Sequence, residues 1–375
     1  MNYPDIFHFC EEQQIPSPQL VYYEDQIRRN TEAAIRAAGG AEHLWPHVKS
    51  HKMRQMVEMQ LTYGIRRFKC ATVTEARMVA EAGASAVLLA YTPVGPQQSA
   101  FLQLRDLYPS VEFYTIADDL ETLRLLGHLA DQPVSVLVDV DTGLHRTGVA
   151  WEALQAFYEE ASTIPGIQLC GFHLYDGEDH QSDPEERRQA VARLEQNFQP
   201  VYASVQTRFG EPLIIFGGTP SMPCFVPYLA QYPQAFLSPG TLFLGDHGYS
   251  SAFPDMEYPP AAAVLARVIS HPGPDRFTLD CGTKALSCDQ KIPGFLLDLP
   301  ADILFQNEEH MVCRMREGFE DRRPAIGSVQ YLIPTHICTT TILYPSVPVI
   351  RDGHLSGIWE VTARDRLPLS GLSIS

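Results

Sequence analysis

The chain lacks a basic excess: 28 Lys and Arg stand against 45 Asp and Glu, a formal net charge of −17 over 375 residues. A surface this acidic repels phosphate backbones, so no nucleic-acid partner is expected. It also lacks a leader-like N-terminus. Met1-Asn2-Tyr3-Pro4-Asp5 has no basic stretch and opens no apolar one, so no secretory signal is read there. No apolar run approaches the ~20 residues that span a bilayer, and no membrane partner is expected. The eight cysteines show no paired spacing. A chain of this size needs no disulfide framework, and reduced thiols in a cytoplasmic protein are the simpler reading. Repeats, low-complexity tracts and charge blocks are missing as well. With 45% hydrophobic and 19% charged residues, what remains is globular material for one large domain and a smaller one.

Short β-rich runs alternate with longer amphipathic ones. The β-like runs are Leu44–Lys49, Arg67–Thr72, Ala86–Tyr91, Val111–Ile116, Val134–Val140, Ile167–Tyr175, Leu213–Gly218 and Ala235–Gly240. Most are apolar and bounded by Gly, Pro, Asp or Thr, as strands buried on both faces should be. Helix-like stretches cover Glu24–Ala38, Thr74–Gly83, Asp118–Leu129 and Asp183–Phe209. Strands separated by helices imply a parallel sheet of right-handed crossovers. The expected fold class is α/β: a (β/α)8 barrel over residues 20–247, with an open doubly wound sheet as the rival. After about Gly248 prolines cluster at Pro254, Pro259 and Pro260. The runs Ala262–Ile269, Arg276–Asp280, His310–Arg314, Ser328–Ile333 and Thr340–Tyr344 then predict a mainly antiparallel β domain. That domain is expected over 248–375, with residues 1–19 packed against it.

Four segments carry polar groups suited to chemistry. Trp45-Pro46-His47-Val48-Lys49-Ser50-His51-Lys52 follows the first expected strand, at the barrel face where active sites lie. A lysine there loses hydration, so its pKa falls and its amine becomes a nucleophile of the kind a Schiff base requires. The same charges also suit a solvated loop. Phe216-Gly217-Gly218-Thr219-Pro220-Ser221 offers backbone N–H groups and hydroxyls where barrels hold phosphate; it also suits a capped turn. Within Asp139–Gly148, Arg146 is either a fixed charge for an anionic ring oxygen or a partner of Asp139 or Asp141. In Pro334-Thr335-His336-Ile337-Cys338, a strand would put His336 and Cys338 on one face, an imidazole and a thiolate suited to zinc. A packed histidine and a buried thiol suit the same pattern.

Taken in order, these segments resemble the D-serine dehydratase/D-threonine aldolase family, which is related to the N-terminal barrel of alanine racemase. The resemblance runs from about Pro18 to Arg364. It rests on Pro46-His47-Val48-Lys49-Ser50-His51-Lys52; on Asp141, Gly143, Arg146 and Gly148; on Tyr175-Asp176-Gly177; and on Gly217-Gly218-Thr219-Pro220. Further matches are Pro239–Phe243 with Asp246, Asp280-x-Gly282-x-Lys284, Glu308-Glu309-His310 and the His336-x-Cys338 pair. The family implies that Lys49 carries pyridoxal 5′-phosphate (PLP). It implies that Arg146, Tyr175, Gly217, Gly218 and Thr219 bind that cofactor. It also implies that His336 and Cys338 bind a divalent metal, zinc first, with manganese or magnesium as alternatives. Two departures stand out. Trp45 replaces the family's usual arginine, and Glu178-Asp179-His180 is more acidic than the usual continuation.

The expected function is that of a PLP- and metal-dependent lyase on a D-3-hydroxy amino acid, of the D-serine dehydratase type. The cysteine resembles the dehydratase branch; the aldolase branch more often has aspartate there. The alternatives are D-threonine aldolase-type cleavage to glycine and an aldehyde, a racemase, and a non-catalytic PLP-binding protein. Lys49 is the expected α-proton base and His51 a second proton carrier. Relatives form dimers, so a homodimer taking a small D-amino acid is expected.

Overall fold

The computed structural model describes Tyr3 and residues 6–366. Met1, Asn2, Pro4 and Asp5, on which the reading of the N-terminus rests, lie outside the described residues, as does the end of the expected second domain. The chain divides into two compact units. One comprises Ile35–Gly240 with the segment from Thr362; the other comprises the chain up to Ala34 with Thr241–Val361.

The first unit is a curled parallel sheet flanked by helices. Its seven strands, Arg67–Cys70, Ala86–Leu89, Glu112–Ala117, Val134–Val140, Ile167–Leu174, Leu213–Phe216 and Ala235–Leu237, pair in chain order. The first expected strand, Leu44–Lys49, is reduced to parallel bridges, from Leu44 to Leu237 and from His47 to Lys69. Trp45 N–H donates to Leu237 O and Lys69 N–H to Pro46 O, both at 2.8 Å, so residues 44–47 join the sheet's two edges. An open doubly wound sheet has free edge strands; this one closes as a barrel does.

The barrel interior is filled by Trp45, Ala86, Leu88, Ile116, Leu137, Ile215 and Phe236. Trp45 is 1% exposed and meets Tyr114 and Phe236 edge-on, with ring centroids 5.6 and 5.4 Å apart. Burying such a ring contributes roughly 2–3 kcal/mol. The outer helices start where the sequence offers caps. Thr72 accepts from Glu75 N–H ahead of Val73–Glu81, and Asp119 from Thr122 N–H ahead of Leu120–Leu129. Asp183 accepts from Glu185 N–H ahead of Pro184–Phe209. These caps satisfy N–H groups that have no partner within the helix.

The second unit is mainly antiparallel. Its hub is the long strand Ala262–Gly273, which pairs antiparallel with Gln19–Tyr23, Arg276–Leu279 and Val329–Pro334. Met311–Met315 extends the sheet beyond Arg276–Leu279, and Ser346–Arg351 lies parallel to Gln19–Tyr23. Phe7, Phe9, Val21, Leu265, Tyr331 and Ile333 lie in its core. The strand Gln19–Tyr23 escapes the sequence reading because it is one short apolar run followed at once by a helix. The strand expected at Thr340–Tyr344 is not formed. That stretch holds the end of a short helix, Ile337–Thr341, and the strand begins at Ser346. Thr340 Oγ1 donates to His336 O, and Thr hydroxyls satisfied this way favour the turn over the extended chain.

Candidate active site

The barrel unit encloses a cavity of about 610 Å3 at the C-terminal ends of its strands. Its lining includes His47, Lys49, Lys69, Arg146, His173 and Tyr175. Lys49 lies in the turn Val48–Ser50, where its N–H donates to His47 Nδ1 at 3.3 Å. The Lys49 Nζ stands 5.7 Å from the Tyr175 ring centroid, Lys69 Nζ 5.8 Å and the Arg146 guanidinium carbon 5.2 Å. Two lysine amines and a guanidinium thus surround one aromatic ring.

Behind them runs a buried chain. Asp139 Oδ1 holds His173 Nδ1 at 2.7 Å, and His173 Nε2 lies 3.5 Å from Lys69 Nζ. Thr147 Oγ1 donates to Asp139 Oδ2 at 2.8 Å. Asp139 and His173 are register partners on neighbouring strands, so backbone pairing alone brings them together. Burial sets the charge states. It pushes Lys69 down to about 7, helped by the adjacent Lys49 and opposed by Asp139 and Asp176. It also lowers His47 and His173, the latter against the favourable pull of Asp139.

The Gly217–Ser221 turn adjoins the same ring. Gly217 has φ +63° and Gly218 N–H donates to Ser221 Oγ at 3.2 Å. A Cβ on Gly217 would stand 2.8 Å from Phe225 and from Ser221 Oγ; one on Gly218 would stand 3.2 Å from Tyr175. Ser221 Oγ donates to the buried Asp176 Oδ1 at 2.9 Å, whereas Asp176 Oδ2 has no hydrogen-bond partner among the described residues. Burial raises the Asp176 carboxyl to about 7. Thr219 Oγ1 accepts from Gly240 N–H at 3.2 Å.

Of the expected cofactor-binding residues, Lys49, Arg146 and Tyr175 line the cavity, and Gly218 abuts Tyr175. His51 stands apart. It is 1% exposed, its Nδ1 accepts from Met53 N–H at 3.1 Å, and burial lowers its pKa to about 3. It is absent from the cavity lining, so the structure does not bring it to the site where a second proton carrier was expected. Asp141 pairs with His145, at 2.8 Å, and not with Arg146. Trp45 is a core ring and does not line the cavity. Lys69 and His173 are absent from the sequence-based candidates, and Asp139 enters them only as a possible partner of Arg146. Asp139 and His173 each interrupt an apolar stretch near the end of their strands, and that interruption is the signal that marks them; Lys69, in Arg67-Phe68-Lys69-Cys70, carries no such signal.

In the β unit, His336 and Cys338 are brought together, but not by a strand. The strand ends at Pro334, His336 precedes the short helix, and Cys338 lies within it. The expected i, i+2 sharing of a strand face is thereby corrected. The Cys338 thiol hydrogen-bonds the imidazole and, with Asp289, raises it to about 9 against the effect of burial. Asp289 Oδ2 lies 2.5 Å from His336 Nδ1, and Asp289 Oδ1 accepts from Ser287 Oγ and Thr339 Oγ1.

Both implied groups suit these residues. The cavity's amine beside an aromatic ring and an arginine suits an anionic aromatic aldehyde. The glycine turn, which a Cβ would fill, suits its phosphate. An imidazole oriented by a carboxylate next to a thiol is a donor pair for a soft divalent metal. Among the described residues no group of three or more His, Cys, Asp or Glu is placed to hold a metal, so water or substrate would complete the coordination.

The fold and cavity define an alanine racemase-type barrel of the PLP class. The model "Alanine racemase, N-terminal domain" matches residues 23–209, and "Putative serine dehydratase domain" matches 261–350. D-threonine aldolase of Arthrobacter sp is 30% identical over 325 residues, covering 86% of this chain and 85% of that protein. 3-Hydroxy-D-aspartate aldolase of Paracoccus denitrificans is 24% identical, covering 95% and 94%. Among solved structures, D-threonine aldolase from Filomicrobium marinum superposes with a TM-score of 0.83 at 25% identity, covering 94% of this chain and 96% of that one. D-threo-3-hydroxyaspartate dehydratase from Delftia sp. HT23 superposes at 0.79 and 20%, covering 93% and 98%. A His-to-Ala mutant of that dehydratase, and a Cys-to-Ala mutant in a metal-free form, have also been solved. The chain therefore belongs to the D-serine dehydratase/D-threonine aldolase family and is a PLP-dependent lyase.

Proposed function

We propose that the chain is a metal-dependent lyase acting on a D-3-hydroxy amino acid, with Lys49 holding PLP and His336 and Cys338 holding a divalent metal, zinc first. The observation that carries this reading is the half-buried Lys49 amine lining a cavity beside Tyr175 and Arg146. When bound, PLP supplies an electron sink for a carbanion at the α-carbon, and a divalent metal supplies a Lewis acid for a hydroxyl oxygen.

The protein's own residues do the rest. Arg146 and Tyr175 orient the ring; the Gly217–Ser221 turn holds the phosphate through N–H groups and hydroxyls. Lys49 would hold the cofactor through its amine, and a neutral amine of the cavity would take the α-proton. Asp289 fixes the His336 ring.

Dehydration to a keto acid and ammonia is the first reading and rests on the Cys338 thiol. The histidine and cysteine mutated in the solved dehydratase stand two positions apart, as His336 and Cys338 do. Aldol cleavage is the second reading, supported by the two aldolases among the curated relatives. Incubating the loaded enzyme with D-serine, D-threonine and D-3-hydroxyaspartate, and assaying keto acid and glycine separately, decides between them. Keto acid without glycine is the expected result. Glycine with an aldehyde transfers the assignment to aldol cleavage, and turnover that survives a chelator removes the metal from the account.

A further inference from the structure

Lys69 is a fully buried lysine in a four-residue strand, 2% exposed, with its amine at the cavity wall. No carboxylate among the described residues forms an ion pair with it; its one side-chain hydrogen-bond partner there is His173 Nε2. Asp139 accepts from His173 Nδ1, which leaves Nε2 free of hydrogen and turned toward Lys69. The order Asp139, His173, Lys69, cavity is the arrangement of a proton relay whose outer member meets the bound molecule. Burying an amine without an ion pair costs stability, and such groups concentrate where chemistry uses them.

We propose that Lys69 is the group that exchanges the α-proton of the bound amino acid, reloaded through His173. This rests on the lyase reading above. The lone pair of neutral Nζ takes the proton: the Cα–H bond breaks, an N–H bond forms, and the electron pair stays on the amino acid, delocalised into bound PLP. The ammonium returns the proton by the reverse step or passes it to His173 Nε2. The groups that tune Lys69 are all near it. Lys49 and Arg146 disfavour its charge, Asp139 and Asp176 favour it, and burial outweighs both pairs, so the neutral amine is abundant near pH 7. His47 and His173 are themselves held neutral by burial and add no competing charge.

D-Alanine has no β-hydroxyl, so its α-hydrogen exchange in D2O isolates this step. In the loaded wild type, exchange rises with pH as Lys69 loses its proton and then levels. Lys69→Met is expected to lower exchange about 100-fold or more while borohydride still fixes PLP to Lys49. Lys69→Arg, which keeps the charge but cannot act as a base near neutral pH, falls equally. His173→Gln retains exchange with a shifted midpoint. In 15N-lysine-labelled, cofactor-free protein the Lys69 signal titrates near 7, not near the ordinary 10.5. Exchange in Lys69→Met or Lys69→Arg at the wild-type rate and pH profile overturns the proposal, as does an ordinary Lys69 titration. If Lys69→Met fails to load, the arginine and His173 variants decide. A wild type that takes no label on Lys49 overturns the lyase reading and this inference together.

Discussion

The two units hold their reactive groups in different ways. In the barrel unit, burial sets the charge state: it lowers Lys69, His47 and His173 at the cavity and raises Asp176 beneath the glycine turn. In the β unit, the His336 and Asp289 side chains are 32% and 35% exposed, and hydrogen bonds outweigh burial. His336 is raised by its bonds to Cys338 and Asp289, and Asp289 is lowered by its bonds to Ser287, His336 and Thr339. Desolvation makes an amine nucleophilic, whereas hydrogen bonds orient a donor for a metal. The first device needs a rigid closed sheet; the second needs only a turn.

Removing each device in turn breaks the comparison at a different depth. Lys49→Ala is expected to have the largest effect: loss of the bound cofactor's visible absorbance and a fall in turnover of about 1,000-fold or more. Next, His336→Ala, Cys338→Ala or a chelator should lower turnover at least ~100-fold while Lys49 still takes the PLP label. Loss of the label in those variants would mean that the two sites are not chemically separate. Asp289→Asn removes the ring's orienting partner and should weaken metal binding about 10–100-fold, read by metal titration.

Smaller effects probe the glycine turn and the buried carboxyl. Gly217→Ala adds a Cβ against Phe225 and Ser221 at φ +63°. It should cost about 1–3 kcal/mol in denaturant unfolding and weaken cofactor retention. Asp176 gives a pH test. Its carboxyl is raised to about 7 from the ordinary 3.8, so the stability it contributes is fully present below 3.8 and lost as pH rises through about 7. Asp176→Asn has no such titration. Its melting temperature should gain on the wild type as pH rises across that window, and a constant gap would contradict the buried-charge account.

Much of this was legible in the chain. Period and punctuation located the barrel strands; Asp183 was read as a helix start and caps its helix, whereas the starts read at Thr74 and Asp118 fall at Thr72 and Asp119. The Lys49 segment and the glycine turn were readable because loops at strand ends carry the chemistry of barrels. Lys69 and His173 were not singled out, and Asp139 was read only as a possible partner of Arg146. Their grouping depends on parallel register and on which strand face turns inward, properties of the closed sheet and not of any local window. His336 and Cys338 were found for a mistaken reason: threonine hydroxyls favour a helical turn where β-branched composition suggested a strand.

Loading the protein with PLP, reducing it with borohydride and mapping the modified peptide tests the central claim most directly. The account predicts a single label on Lys49. A label on Lys52 or Lys69, or none at all, would contradict it.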